Sequence, residues 1–238
     1  MAAFCAPRVA VFLVIFTFGA MAQAEPLGSE EAVDRTTQTA LALDVHPDRG
    51  SLRFAHDCAR CHGTGGEGNA DRAIPALAGQ RFAYLVRQLA NFAGAERDSD
   101  AMHRVISQPG LRGPQAWVDL AAYLNRLPPS RGGQTGDGRR VALGRGIYRE
   151  QCASCHRGDA HGDSDGFVPS LRNQQFSYLV SQLHKLGKGN RHNVDKDLVR
   201  FLDSFDDQDI DATADYLSRL HGPGAVRRIM RDDGVVVD

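Results

Sequence analysis

The chain has 238 residues, with 28 Lys+Arg against 29 Asp+Glu and a formal net charge of −1. That balance gives no dominant basic field, so nucleic acid is not expected as a partner. Without its first 24 residues the chain would keep about 214, which suits one or two ordinary domains.

Residues 1–24 read as an export signal. Arg8 supplies a weak positive start, residues 9–20 are apolar, and Ala22-Gln23-Ala24 is a small-x-small cleavage site before Glu25. The apolar stretch is short for a bilayer span, so a cleaved signal is expected rather than an anchor. Cys5 leaves with it and lacks the small-residue context of a lipid-attachment cysteine. The mature protein is expected in the periplasm. Residues 25–47 form an extension, read as loosely held, with a helix near residues 32–43.

From residue 48 the sequence repeats itself at an offset of 94. Gly50 falls on Gly144, Phe54 on Tyr148 and Cys58 on Cys152, and residues 74–92 match residues 168–186. A repeat of this length means two copies of one small domain rather than a solenoid. Each copy reads as helical. Tyr84, Leu85, Gln88, Leu89 and Phe92 share one helix face, and Trp117, Leu120, Ala121, Leu124 and Leu127 share another. Ile210, Ala214, Leu217 and Leu220 repeat that closing helix in the second copy. No run alternates with strand period. The sequence therefore predicts an all-α chain: domain one at 48–127, a polar Gly/Pro-rich linker at 128–140, domain two at 141–221, and a tail at 222–238.

Four of the five cysteines lie in two motifs, Cys58-Ala-Arg-Cys61-His62 and Cys152-Ala-Ser-Cys155-His156. C-x-x-C-H spaces two thiols to meet the two vinyl groups of a haem and puts an imidazole on the iron. The chain is therefore expected to carry two covalently bound haem c groups, through Cys58 and Cys61 and through Cys152 and Cys155, with His62 and His156 as iron ligands. Two C-x-x-C pairs also suit a tetrahedral zinc site, and one suits a redox disulfide in a βαβ context that this sequence lacks. Histidine directly after both pairs favours haem. A domain of about 90 residues with few aromatics has a thin core, which a large apolar disc would fill.

The run C-x-x-C-H-G-x-x-G-x-G at residues 58–68, followed by P-x-L-x-G-Q-x-x-x-Y-L-x-x-Q-L at residues 75–89, resembles the dihaem cytochrome c4 / cytochrome c553 family. The resemblance extends from about residue 50 to 220 and implies two tandem class I cytochrome c domains. It also implies that the carbonyls of Pro75 and Pro169 accept the proximal imidazole N–H groups of His62 and His156, fixing ring orientation.

Such domains normally set a methionine opposite the histidine, which raises the reduction potential. Met102 is the one methionine inside a repeat, at the family's position, and is the expected second ligand of the first haem. The second copy has none there. The 94-residue offset puts Asp195 or Lys196 opposite Met102, whereas spacing counted back from Ile210 puts Leu198 there. His192 is the nearest histidine and the candidate ligand, with His184 and His161 behind it. A five-coordinate or water-bound iron under Leu198, Met230 folding back from the tail, or a lysine are the alternatives. His46, His56, His103 and His221 read as surface residues. Tyr84, Tyr178, Gln88 and Gln182 either reach haem propionates or simply pack. Arg139, Arg140, Arg145 and Arg149, and the acidic residues 203–215, read as solvated faces.

A saturated first haem offers no substrate site, so the leading expectation is an electron carrier between redox protein partners, with peripheral association with a membrane oxidase or an oxidoreductase subunit as the partner setting. The competing class is a haem enzyme, or an enzyme's electron-transfer subunit, with small-ligand chemistry at an open second haem.

Overall fold

The computed structural model describes residues 28–130, 133–191 and 194–223, with the backbone alone at 229–230 and 236–237. Copy one contains α1 (Glu30–Leu41), α2 (Pro47–Arg53), α3 (Ala59–His62), α4 (Phe82–Ala93), α5 (Asp100–Ile106) and α6 (Pro114–Arg126). Copy two contains α7 (Val141–Ile147), α8 (Ala153–His156), α9 (Phe176–Gly187), α10 (Lys196–Asp203) and α11 (Asp207–Ser218). The described residues are all-α apart from a two-residue antiparallel pair, Ile229–Met230 with Val236–Val237, in the tail, and isolated bridges.

The ends of these helices follow local chemistry. Ser29 accepts from the Ala32 N–H at the start of α1, with Glu30 and Glu31 in its first turn, where a hydroxyl and negative charge satisfy free N–H groups. Pro47 and Pro114 stand at the first turns of α2 and α6, where a missing N–H costs nothing.

In copy one α2 crosses α6, and in copy two α7 crosses α11, at very close range. A Cβ on Gly50 would lie 2.0 Å from the Asp119 carbonyl oxygen, and one on Gly144 would lie 1.9 Å from that of Ala212. Only glycine lets the backbones meet there. Beside each crossing an aromatic pair packs at the same distance in both copies, Phe54 with Tyr123 and Tyr148 with Tyr216, both at 5.6 Å between centroids.

The two cores are unequal. Copy one buries Phe54, Leu85, Val86, Leu111, Val118, Leu120, Ala121 and Leu124 together, with a second cluster of Val33, Ala90, Phe92, Ile106 and Trp117. Copy two buries Tyr148, Ala160, Leu179, Ala214 and Leu217. The N-terminal extension causes part of this difference, and here the expectation of a loosely held segment is wrong. Helix α1 packs on α4 and α6, and Val33 and Ala40 are fully buried. Its apolar face is covered, and it has no counterpart in copy two.

The domains dock through a crossed pair of glutamines. Gln80 donates to the Ser170 carbonyl at 2.9 Å and accepts from the Ser170 N–H at 2.8 Å. Gln174, its repeat equivalent, donates to the Ala76 carbonyl at 3.1 Å and accepts from the Ala76 N–H at 2.9 Å. Gln175 reaches the Glu67 carbonyl at 2.8 Å and Ser177 that of Ala70 at 2.6 Å. The linker is also tied down: the Gly138 N–H donates to Asp215 at 2.7 Å, and Arg219 to the Gly136 carbonyl at 2.8 Å. Asp215, read from sequence as part of a solvated acidic face, is buried and paired with Arg219 at 2.8 Å.

Candidate haem sites

Both C-x-x-C-H motifs follow a helix widened by one residue. The Ala59 N–H donates to the Phe54 carbonyl and the Ala153 N–H to that of Tyr148, five residues back in each case. These π turns, Phe54–Cys58 and Tyr148–Cys152, are single-turn insertions of a kind that recurs at functional sites. Hydropathy periodicity did not reveal them. They place the first cysteine at the junction with α3 or α8, and the histidine at that short helix's end.

His62 is buried, and its Nδ1 lies 3.1 Å from the Pro75 carbonyl oxygen. His156 makes the same contact with Pro169, also at 3.1 Å. A carbonyl only accepts, so Nδ1 carries the proton and Nε2 keeps its lone pair. Burial lowers both imidazole pKa values, against the opposing pull of the carbonyl contact. Both rings are thus neutral and oriented, the state an iron ligand requires. The loop that presents each proline turns at a left-handed glycine, Gly68 at φ 80° and Gly162 at φ 74°, where a Cβ would strike the backbone at 2.5 and 2.4 Å.

Burial, then Asp57 and Cys61, pushes the Cys58 thiol up to about 12. Burial, then Cys155, pushes Cys152 up to about 11. Reactive disulfide-exchange cysteines have lowered values, so these thiols suit neither redox exchange nor a ready thiolate site. Among the described residues no three His, Cys, Asp or Glu side chains converge on a common ion position, so the two pairs do not assemble a zinc centre.

A haem fits what is present. Each copy offers two thiols, a neutral imidazole that is buried at His62 and half-buried at His156, and a set of half-covered apolar side chains. In copy one these include Leu77, Phe82 and Leu89; in copy two, Leu171, Phe176 and Val180.

Met102 is half-buried against Val33, Ala90, Phe92, Ile106 and Trp117. Its N–H donates to Ser99, the cap of α5, at 3.4 Å. In copy two the Leu198 N–H donates to Asp195, the cap of α10, at 3.4 Å. Met102 and Leu198 are each third after their cap, so helix register pairs them, and the 94-residue offset does not. Leu198 is 39% exposed, and Phe201 and Phe205 stack edge to face at 4.8 Å on the same element's end. His192 lies outside the described residues, as do the side chain of Met230 and the signal at residues 1–24. His184 sits 3.9 Å from Asp207, and exposed His161 gives its carbonyl to Arg81 at 2.8 Å. His46, His56, His103 and His221 are exposed.

Sequence reasoning missed Arg97 and Arg191. They are buried between the domains among Tyr84, Gln88, Tyr178 and Gln182. The available signal was their match at the 94-residue offset.

A family model for cytochrome c matches residues 47–128 and 141–221. The thiosulfate dehydrogenase electron acceptor of Thiomonas intermedia is 34% identical over 147 residues, 58% of this chain and 65% of that protein. Cytochrome c4 of Pseudomonas aeruginosa is 28% identical over 177 residues, 69% of this chain and 84% of the other. The crystal structure of reduced recombinant cytochrome c4 from Pseudomonas stutzeri superposes with a TM-score of 0.66 at 25% identity, covering 75% of this chain and all of that one (100%).

Proposed function

The chain belongs to the cytochrome c family as a dihaem, cytochrome c4-like electron-transfer protein, and from that premise we propose that its two haem sites are built alike on one side and differently on the other. Cys58 and Cys61 hold one haem and Cys152 and Cys155 the other, in domains spanning 48–127 and 141–221. His62 and His156 ligate through Nε2 while Pro75 and Pro169 hold the opposite ring nitrogens. When bound, each haem supplies an Fe(III)/Fe(II) couple. The protein tunes it through axial ligands, burial and charge.

Met102 completes the first iron site, and Leu198 leaves the second without a thioether. The single observation that carries this asymmetry is the matched helix cap, which sets Leu198 where Met102 stands. His192 is the candidate ligand from outside that helix. The protein works in the periplasm after cleavage before Glu25, which N-terminal sequencing of the exported chain will test. Its electron donor is a sulfur-compound oxidoreductase of the kind named in the Thiomonas relative. Its acceptor is a membrane oxidase.

EPR and optical spectra of the oxidised and reduced protein test the asymmetry. A thioether-to-iron charge-transfer band from one haem per chain is expected. Two such bands, or none, refute it. A high-spin signal that shifts with carbon monoxide identifies an open second iron and moves the reading toward small-ligand chemistry there. A second low-spin signal without thioether character identifies His192 or another nitrogen ligand.

A further inference from the structure

Helix α5 carries Met102 but is too short to hold its own place. It has seven residues, and a helix of that length is marginal in water unless tertiary contacts seat it. The loop that follows is broken by Pro109-Gly110 and by Gly113 at φ 107°. Where the Met102 side chain points is therefore decided by what α5 packs on.

That surface is the second core cluster of copy one, and four helices assemble it. Val33 comes from α1, Ala90 and Phe92 from α4, Ile106 from α5 itself and Trp117 from α6. Met102 packs against the same cluster. Ile106 follows Met102 by four residues, so the two share a face of α5, and seating Ile106 sets the rotation of the helix. Ile106 and Trp117 are each 1% exposed, and Val33 is 0% exposed. His103, the neighbour of Met102, meets the Phe92 carbonyl through Nδ1 at 2.9 Å, which ties α5 to the end of α4.

Val33 is the contribution of α1 to that cluster, and the helix is fixed at both ends. Asp34 pairs with Arg87 of α4. Ala40 sits in the first core cluster with Val86 and Val118, and Gln115 of α6 donates to the Asp44 carbonyl just beyond the helix at 2.9 Å. Copy two lacks this arrangement. Among the described residues no helix precedes α7 in the place of α1. The core cluster there takes no residue from α10, and Leu198 remains partly exposed.

We propose that α1 is a clamp on the axial thioether of the first haem, with Val33 as the positioning residue that keeps α5 closed and slows release of the Met102 sulfur. The proposal rests on the reading of Met102 as that haem's ligand. A thioether raises the reduction potential because it favours ferrous iron, so the ferric state is where the bond depends most on the protein. Short elements open and close as local units, and an added ligand enters in proportion to the open population. Thinning the cluster beneath Ile106 and Trp117 enlarges that population. Imidazole reports it: its nitrogen lone pair takes the coordination position that the sulfur leaves, with no change in oxidation state.

The test uses the full ferric holoprotein with imidazole far below saturation, followed by stopped flow at the thioether-to-iron charge-transfer band. Val33→Ala removes buried carbon from the cluster, and the band should be lost about tenfold faster than in wild type. Val118→Ala is the control, because it removes the same atoms from an equally buried site in the other cluster. It should lower the melting temperature comparably and leave the imidazole rate at the wild-type value. A wild-type rate in Val33→Ala overturns the proposal. So does an equal acceleration in Val118→Ala, since the effect would then be one of general stability. Should Val33→Ala not accumulate with both haems, Ser29→Ala removes only the side-chain cap of α1; faster imidazole entry there supports the clamp, and an unchanged rate overturns it. A wild type without the thioether band, or a band that survives Met102→Leu, defeats the ligand reading itself and is seen before any rates are compared.

Discussion

Leu198→Met should install in the second domain the ligand that the first already has. Met102 and Leu198 stand at the same place in their helices, each N–H meeting a cap side chain at 3.4 Å. Leucine and methionine have nearly equal volume and helix propensity, and such swaps cost less than about 1.5 kcal/mol even in a packed core. Leu198 is 39% exposed, so the cost here lies well below that ceiling and the variant should fold. The spectroscopic effect is large by comparison. Wild type has one thioether-ligated iron, Leu198→Met would have two, and Met102→Leu none, so the charge-transfer band should scale as roughly 2:1:0 across variant, wild type and deletion. The second haem's midpoint potential should rise by roughly 60 mV for each tenfold by which the sulfur prefers ferrous to ferric iron. Redox titration at the band maximum measures both. An unchanged band and potential in Leu198→Met would show that this residue does not face the iron, and a band surviving Met102→Leu would remove that ligand from the first.

Gly144→Ala should drive α7 off α11, since its Cβ would lie 1.9 Å from the Ala212 carbonyl oxygen; a loss of about 3 kcal/mol, on the order of 10 °C or more for a domain this size, should appear by calorimetry, and a near-native midpoint would mean the crossing can relax. Gln80→Leu with Gln174→Leu removes the crossed pairs, leaving the N–H and carbonyl groups of Ser170 and Ala76 unmet at about 1–3 kcal/mol each. The domains should separate, seen as a larger radius of gyration by X-ray scattering and faster cleavage of the 128–140 linker. An unchanged radius would assign docking to other contacts. Asp119→Ala should unlock the start of α2, because Asp119 accepts from the His46 N–H at 2.8 Å and from Arg49 at 3.0 Å, and faster amide exchange at residues 46–50 is the readout.

Much of each domain was legible because the relevant physics is local. Amphipathic spacing at Tyr84, Leu85, Gln88 and Leu89 placed α4, and spacing at Trp117, Leu120 and Leu124 placed α6, since a helix face needs only period and polarity to be read. The C-x-x-C-H chemistry is likewise contained in five consecutive residues. The π turns before those motifs were not legible, because one extra residue in a turn leaves the hydropathy pattern unchanged. Helices α5 and α10 were also missed, being short and half-covered, so the pairing of Met102 with Leu198 stood in the sequence only as one of two competing alignments. An offset of 94 is correct up to Arg97 and Arg191, but a small length change afterwards defeats it; spacing counted back from Ile210 already pointed to Leu198, and the caps at Ser99 and Asp195 agree with that alignment.

The sequence by itself determined the two copies, the paired thiols with their histidines, and the absence of a second methionine within the repeats. Each of these depends on residue identity over a short span. Tertiary structure alone decided what happens between the copies. The extension became a buried helix because α4 and α6 expose an apolar face to it. Gln80 and Gln174 became reciprocal clamps, and two ordinary-looking arginines became a buried pair. Those roles depend on which surfaces meet, and contacts between residues some 80 to 100 positions apart leave no periodic trace in the chain.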